Sequence, residues 1–280
     1  MQTNTPSGKQ TPRGTRRRRA TLVVIGAVVA ATAVAVPLLM LQRNEENRYI
    51  SLVIPEGWRA GQIYRAVDKA LDLPPGSTMK SLVKAHLPLP AAAQGNPEGY
   101  LFPATYPIRR KASPESVLRY MVDTANKRFS LGSLTAGAQR NAMSGYQTVT
   151  MASIVQSEAA TGEDMRKVAR VILNRMERDM PLQMDATLNY AKDRFTLDTS
   201  VADTKIDSPY NTYRHMGLPP TPIASPGTEA LRAVLNPTPG DWLYFVTVKP
   251  GDTRFSATYE EHLRNVAEFN RLRAGSSPSS

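Results

Sequence analysis

Met151-Ala152-Ser153-Ile154-Val155-Gln156-Ser157-Glu158 is the stretch on which the reading of this chain turns. Met151, Ile154 and Val155 stand at i, i+3 and i+4, the spacing of one helical face, and Glu158 falls at i+7 on the same side. A helix built this way points a carboxyl toward the side that should be buried. Burial disfavours the charged form, so such a glutamate should keep its proton near neutrality, as a general acid must. The same spacing fits a core glutamate paired with an arginine such as Arg166 or Arg170, or a helix rolled to expose it.

Outward from this helix, expected over Thr148 to Ala160, the chain alternates helical patterns with short strand-like runs. Thr161 caps the next helix with Asp164 at its third position, and Met165, Val168, Ala169, Ile172 and Met176 form its buried stripe. Glu163 and Asp164 offset the dipole of that first turn. Upstream, Ser113-Pro114 starts a helix with Val117, Met121, Thr124 and Phe129 on one side. Downstream, Trp242 to Val248 has strand chemistry, Lys249 to Arg254 is a turn, and Ser256 to Arg273 is an amphipathic helix through Tyr259, Val266 and Phe269. Nearer the N-terminus, Tyr49 to Ile54 is a strand stopped by Pro55-Glu56-Gly57. A helix through Ile63, Val67, Ala70 and Leu71 follows, then one capped by Ser77 and running to Leu87. Leu87 to Pro97, rich in Pro, Ala and Gly, is expected as a linker. The fold class is α+β: a small strand-and-helix module at 42–97, then a mainly helical domain with a short sheet at 98–273.

The net charge of +11 is unevenly placed. Lys9, Arg13 and Arg16 to Arg19, with no acid among them, put more than half of the excess in residues 1–19, a tail of disordered composition. Ala20 to Leu41 follows without a charge. As a helix it would run about 33 Å, enough for a hydrocarbon core of about 30 Å. A secretory signal is the alternative, but the run ends in Leu38-Leu39-Met40-Leu41 rather than a small-residue cleavage site, which favours an anchor. The basic tail would stay cytoplasmic, placing residues 43–280 outside the cell membrane. Residues 274–280 read as a frayed end.

Several chemistries are excluded. The absence of cysteine removes a disulfide framework, a thiolate metal site and a catalytic thiol. His86, His215 and His262 are scattered, so no metal site is expected. No phosphate-cradling or dinucleotide motif is present, and no cofactor is expected. Ser77-Thr78-Met79-Lys80 matches Ser-x-x-Lys but lacks its companion motifs. No nucleic-acid module accompanies the basic tail. Asp207 to Arg214 mixes tyrosines with hydrogen-bonding groups, as a sugar site would, and also fits a turn-rich loop.

Four segments carry a resemblance across Tyr49 to Asn270. They are Val53 to Trp58, Glu98 to Tyr106 (EGYLFPATY), Ala152 to Glu158 with Asn174-Arg175 and Leu182 to Thr187, and Asp207 to Arg214 with Gly217 to Pro220, Pro222 to Ala224 and Pro226-Gly227. In this order they resemble the endolytic murein transglycosylases, the MltG/YceG-like family. The resemblance implies a LysM-like module at 42–97 and a lytic transglycosylase domain at 98–273. It also implies Glu158 as the catalytic acid, and a glycan groove lined by Tyr210, Asn211, Arg214, Gln183, Asp185 and Thr187, with Glu98 and Tyr100 at its edge. The sequence departs from the family pattern at Gln156, where a second glutamate is usual, and at Ala104, Met184, Ala186 and Leu263.

The implied reaction needs one carboxyl, whereas ordinary glycoside hydrolysis needs two. Glu158 would protonate the oxygen between N-acetylmuramic acid and N-acetylglucosamine, then take the proton of the muramyl C6 hydroxyl as a 1,6-anhydro ring closes. The implied partners are peptidoglycan strands, the membrane and cell-wall synthases. The rival readings are a non-catalytic glycan-binding scaffold of the cell-wall machinery and a membrane adaptor working through its basic tail.

Overall fold

Alternation in Tyr49–Val53 (β1) puts Leu52 inward, and the strand pairs with Thr105–Arg109 (β2), where Tyr106 and Ile108 are buried. In the computed structural model, which describes residues 1–2, 49–129, 142–195 and 199–275, the chain is α+β, with eight α-helices among the described residues and two two-stranded sheets. Among the described residues, Tyr49 and residues 109–111 belong to one unit, in which the Arg109 guanidinium lies 6.0 Å from the Tyr49 ring centre. Residues 50–108 and 112–280 form the other, which carries the core and the site. Among the described residues no helix is long and apolar enough to cross a membrane. The uncharged run at 20–41 lies outside them, as do nearly all of the basic tail and residues 276–280.

After β1 come Ala60–Ala70 (α1) and Ser77–Ala85 (α2). Ser77 is not the cap of α2: Gly76 holds that position in a left-handed conformation, and the Ser77 hydroxyl donates to the Pro74 carbonyl at 2.6 Å. The carboxylate of Asp68 does the capping work instead, accepting from the backbone N–H groups of Gly76 at 2.8 Å and Thr78 at 2.7 Å. The stretch at 87–97 contains a 3-10 turn at Ala91–Ala93 and is tied to Pro114–Phe129 (α3) by Asn126 Nδ2, which donates to the Pro88 carbonyl at 2.8 Å. In α3 the buried side runs through Val117, Leu118, Met121, Val122 and Ala125. Thr124 is turned away, its hydroxyl donating to the Tyr120 carbonyl at 2.7 Å.

Gly145–Glu158 (α4) begins three residues earlier than its apolar pattern suggests, because Ser144 and Gln147 form a reciprocal capping box. Every residue from Thr148 to Val155 is buried. The helix is therefore central rather than one-faced as far as Val155, and Glu158, half-buried, stands in its last turn where that cover opens. Around it pack Gly162–Glu177 (α5), whose cap from Thr161 to the Asp164 N–H is 3.1 Å long, and Thr228–Leu235 (α7). Between them in sequence lies Asp185–Ala191 (α6). Met151, Ile154, Ile172, Leu118 and Met121 share one core with Ile63 and Val67 of α1. Each such side chain contributes about 1.5–3 kcal/mol by leaving water.

Tyr244–Lys249 (β3) and Asp252–Ser256 (β4) form an antiparallel hairpin with Phe245 opposite Phe255 and an irregularity between Thr247 and Lys249. Tyr259–Gly275 (α8) lies on this hairpin, held by Asn265 Nδ2 to Ser256 Oγ at 3.0 Å and by the Arg254–Glu268 pair at 2.9 Å. The expected apolar stripe of α8 is not buried. Val266 and Phe269 are half-covered and Tyr259 is exposed, because the helix covers a two-stranded hairpin and not the main core.

Candidate active site

Glu158 ends α4 where that helix leaves the core. Its Oε1 accepts the Ala186 N–H at 3.0 Å, and among the described residues it forms no ion pair with Arg166, Arg170 or any other cation. Arg170 instead directs its Nε toward the Thr238 carbonyl at 3.4 Å. Burial pushes the Glu158 carboxyl up to about 7; the Ala186 N–H opposes this and the charge of Asp185 adds to it. With Oε1 engaged by a donor, the proton belongs on Oε2.

Two cavities open on this carboxyl. One of about 260 Å³ lies toward Arg59, Asn189, Arg194 and Phe195. The other, about 350 Å³, lies toward Arg175, Tyr213, Tyr244 and His262. Glu158 and Asp185 border both. Asp185 Oδ1 accepts the Tyr213 hydroxyl at 2.6 Å.

The segment around 182–187 and the loop at 207–214 are joined by Thr212. Its carbonyl accepts the Gln183 N–H at 3.0 Å, and its hydroxyl accepts the Met184 N–H at 3.0 Å and meets the Thr187 hydroxyl at 2.9 Å. Arg175 holds the other side. Its Nη1 donates to the carbonyls of Pro181 and Leu182 and to Gln183 Oε1, and its Nε donates to the Leu243 carbonyl at 2.6 Å. Asn174 donates to the Gly240 and Trp242 carbonyls. The Asn174-Arg175 pair on α5 thus fixes the entrance to the β3–β4 hairpin, and with it the aromatic wall of the second cavity.

The site residues named from sequence separate into two groups. Glu158, Asp185 and Gln183 come together in the groove. Thr187 is fully buried, and its hydroxyl donates to the Met184 carbonyl at 2.7 Å. Asn211, also fully buried, donates to the Thr204 and Ile206 carbonyls at 3.1 and 2.8 Å and accepts the Tyr213 N–H. Tyr210 meets the Thr221 hydroxyl and packs on Tyr190, and the exposed Arg214 donates to the Lys205 carbonyl. Glu98 lies away from both cavities, accepting the Ala60 N–H at 2.9 Å and the Tyr190 hydroxyl at 3.2 Å, and burial pushes it up to about 7. Tyr100 stacks on Tyr146 beside a third, more apolar cavity. Gly99 needs its missing side chain: its φ is +79°, and a Cβ would lie 2.5 Å from Pro222 Cβ.

Gln156 is a loop brace. Its Oε1 accepts the Gly227 N–H at 2.9 Å, so this departure from the family pattern lies outside the groove, whereas Met184 and Ala186 line it. Sequence reasoning passed over Arg59, Arg194, Phe195, Tyr213, Tyr244 and His262 as groove residues. Tyr213 had a signal, since it stands inside the 207–214 motif. The others did not, because they reach the groove from four separate segments. Among the described residues no group of three or more His, Asp or Glu is placed to hold a metal ion.

An endolytic murein transglycosylase of Streptococcus pneumoniae is 40% identical over 177 residues, 61% of this chain and 32% of that protein. One of Bacillus subtilis is 39% identical over 166 residues, 59% of this chain and 46% of that protein. The chain thus spans between a third and a half of the length of these relatives. The crystal structure of a putative YceG-like protein from Listeria monocytogenes superposes with a TM-score of 0.69 at 33% identity, covering 76% of this chain and 75% of that one. The YceG-like family profile matches residues 30–268, and the chain belongs to that family.

Proposed function

We propose that this chain is an endolytic murein transglycosylase that cuts the bond between N-acetylmuramic acid and N-acetylglucosamine inside a glycan strand. The observation that carries the reading is Glu158, a carboxyl held near 7 by burial at the meeting point of two cavities. A proton donor with space on either side suits a bond inside a polymer. The protonated Oε2 donates to the glycosidic oxygen as its bond to C1 breaks. The muramyl C6 hydroxyl then closes on C1, its proton returns to Glu158, and no water is consumed. The Ala186 N–H steadies the carboxylate between the two transfers.

The uncharged run at 20–41 behind six basic residues supports a single-pass anchor with the N-terminus cytoplasmic, the groove facing outward and cell-wall synthases as neighbours. Residues 42–97 fit a LysM-like module. The test is mass analysis of fragments released from purified glycan strands. The wild-type chain should leave anhydromuramyl ends and Glu158→Gln should leave none while keeping its fold. Full activity in that variant, or reducing ends alone, would overturn the mechanism. Binding without cleavage by the wild type would point to the scaffold instead.

A further inference from the structure

We propose that Asp185 is a second catalytic group, a carboxylate that stabilises the positive charge developing at the anomeric carbon, and that Tyr213 is the positioning residue that fixes it. This deepens the transglycosylase reading and rests on it. Among the described residues only Glu158 and Asp185 border both cavities. The bond to be cut must lie within reach of the Glu158 proton, hence at that junction, and Asp185 shares the junction. Its orientation is set from the wall of the second cavity. The Tyr213 hydroxyl donates to Oδ1 at 2.6 Å, and burial raises the phenol above its ordinary range, so it remains a donor. One carboxylate oxygen is occupied, and among the described residues no hydrogen bond engages the other. The backbone beneath is fixed as well, because the next residue, Ala186, gives its N–H to Glu158. Acid and carboxylate are thereby held in one frame.

In the step itself the C1–oxygen bond breaks as Glu158 delivers its proton to the departing oxygen, leaving C1 electron-poor. Asp185 lowers the energy of that state through its charge and forms no bond. The C6 hydroxyl oxygen then bonds to C1, its proton passes to Glu158, and Asp185 ends unchanged. This also assigns a role to the 207–214 motif. Asn211 braces the loop, and Tyr213 acts on the groove.

The test measures kcat, KM and product ends for the full chain, Asp185→Asn, Tyr213→Phe and the double variant on purified glycan strands. Asp185→Asn should lower kcat by about 10²–10³-fold with KM little changed. Tyr213→Phe should lower kcat about tenfold with KM little changed. In the Asp185→Asn background Tyr213→Phe should have no further effect, a non-additivity that a merely structural role would not produce. If Asp185→Asn does not fold, the kcat–KM split of Tyr213→Phe carries the test. An Asp185→Asn variant with near wild-type kcat, or one changed in KM alone, would overturn the assignment while leaving the transglycosylase reading intact. Reducing ends from the wild type that vanish in Asp185→Asn would make Asp185 a base for water and overturn it too. A wild-type chain that cuts nothing would refute the function and this assignment together.

Discussion

At pH 8 the Glu158→Gln variant should be more stable than the wild-type chain, and the difference should disappear as the pH approaches 4.5. An unfolded glutamate ionises near 4.5, whereas Glu158 in the folded protein ionises near 7. Below 4.5 both states are protonated and the stability that comes with the raised value is fully present. Between 4.5 and 7 the unfolded chain ionises while the native state keeps its proton, so stability falls as the pH rises; above 7 both are charged and the loss is complete. At about 1.36 kcal/mol for each tenfold change, the full loss is about 3 kcal/mol. Glu98, also raised to about 7, adds a similar slope that both proteins retain, so the comparison isolates Glu158. The amide of glutamine has no charge to desolvate, and its oxygen can still accept the Ala186 N–H. The assay is urea unfolding of both purified chains at half-unit steps from pH 4 to 9. A stability difference independent of pH, or a variant less stable than wild type at pH 8, would refute the claim that burial governs this carboxyl.

Three further outcomes follow from the same geometry. Catalytic rate should fall about tenfold per pH unit well above about pH 7, since the reacting form of Glu158 is the protonated one; initial rates on the alkaline side check this. Asn211→Ala should cost about 2–4 kcal/mol in denaturant unfolding, because the Thr204 and Ile206 carbonyls lose their donor. Gly99→Ala should cost about 3 kcal/mol by calorimetry, combining a left-handed backbone with a clash on Pro222.

Much of the scaffold was legible because it rests on local rules. The strand at β1, the Thr161 cap, the Ser113-Pro114 helix start and the stripe through Met165, Val168, Ala169 and Ile172 depend on residues within a few positions of one another. The α4 helix was located correctly for an incomplete reason. Its i, i+3, i+4 pattern suggested one buried face, yet Thr148, Thr150 and Ser153 are buried as well. Their hydroxyls donate to the carbonyls of Ser144, Tyr146 and Thr150, which lets polar residues occupy a central helix without unmet donors.

The groove was only half legible. A tyrosine, asparagine or arginine in a loop presents the same atoms to a ligand as to neighbouring backbone, and sequence does not say which it meets. Asn211 and Thr187 meet backbone; Gln183 and Asp185 meet the groove. The second cavity needed residues from β3 and α8, roughly eighty to a hundred positions beyond Glu158, and their placement depends on the hold of Asn174 and Arg175 on the hairpin entrance.

By itself the sequence determined the element order, the helix that carries the acid and the family, because caps, periodicity and motif order are encoded in short-range residue choice. The tertiary structure decided that Glu158 meets no cation among the described residues, that Asp185 shares its junction, and that Tyr213 rather than Asn211 or Arg214 reaches that junction from the loop. Burial and hydrogen-bond partnership are properties of what surrounds a side chain, and here the surroundings come from segments far apart in the chain.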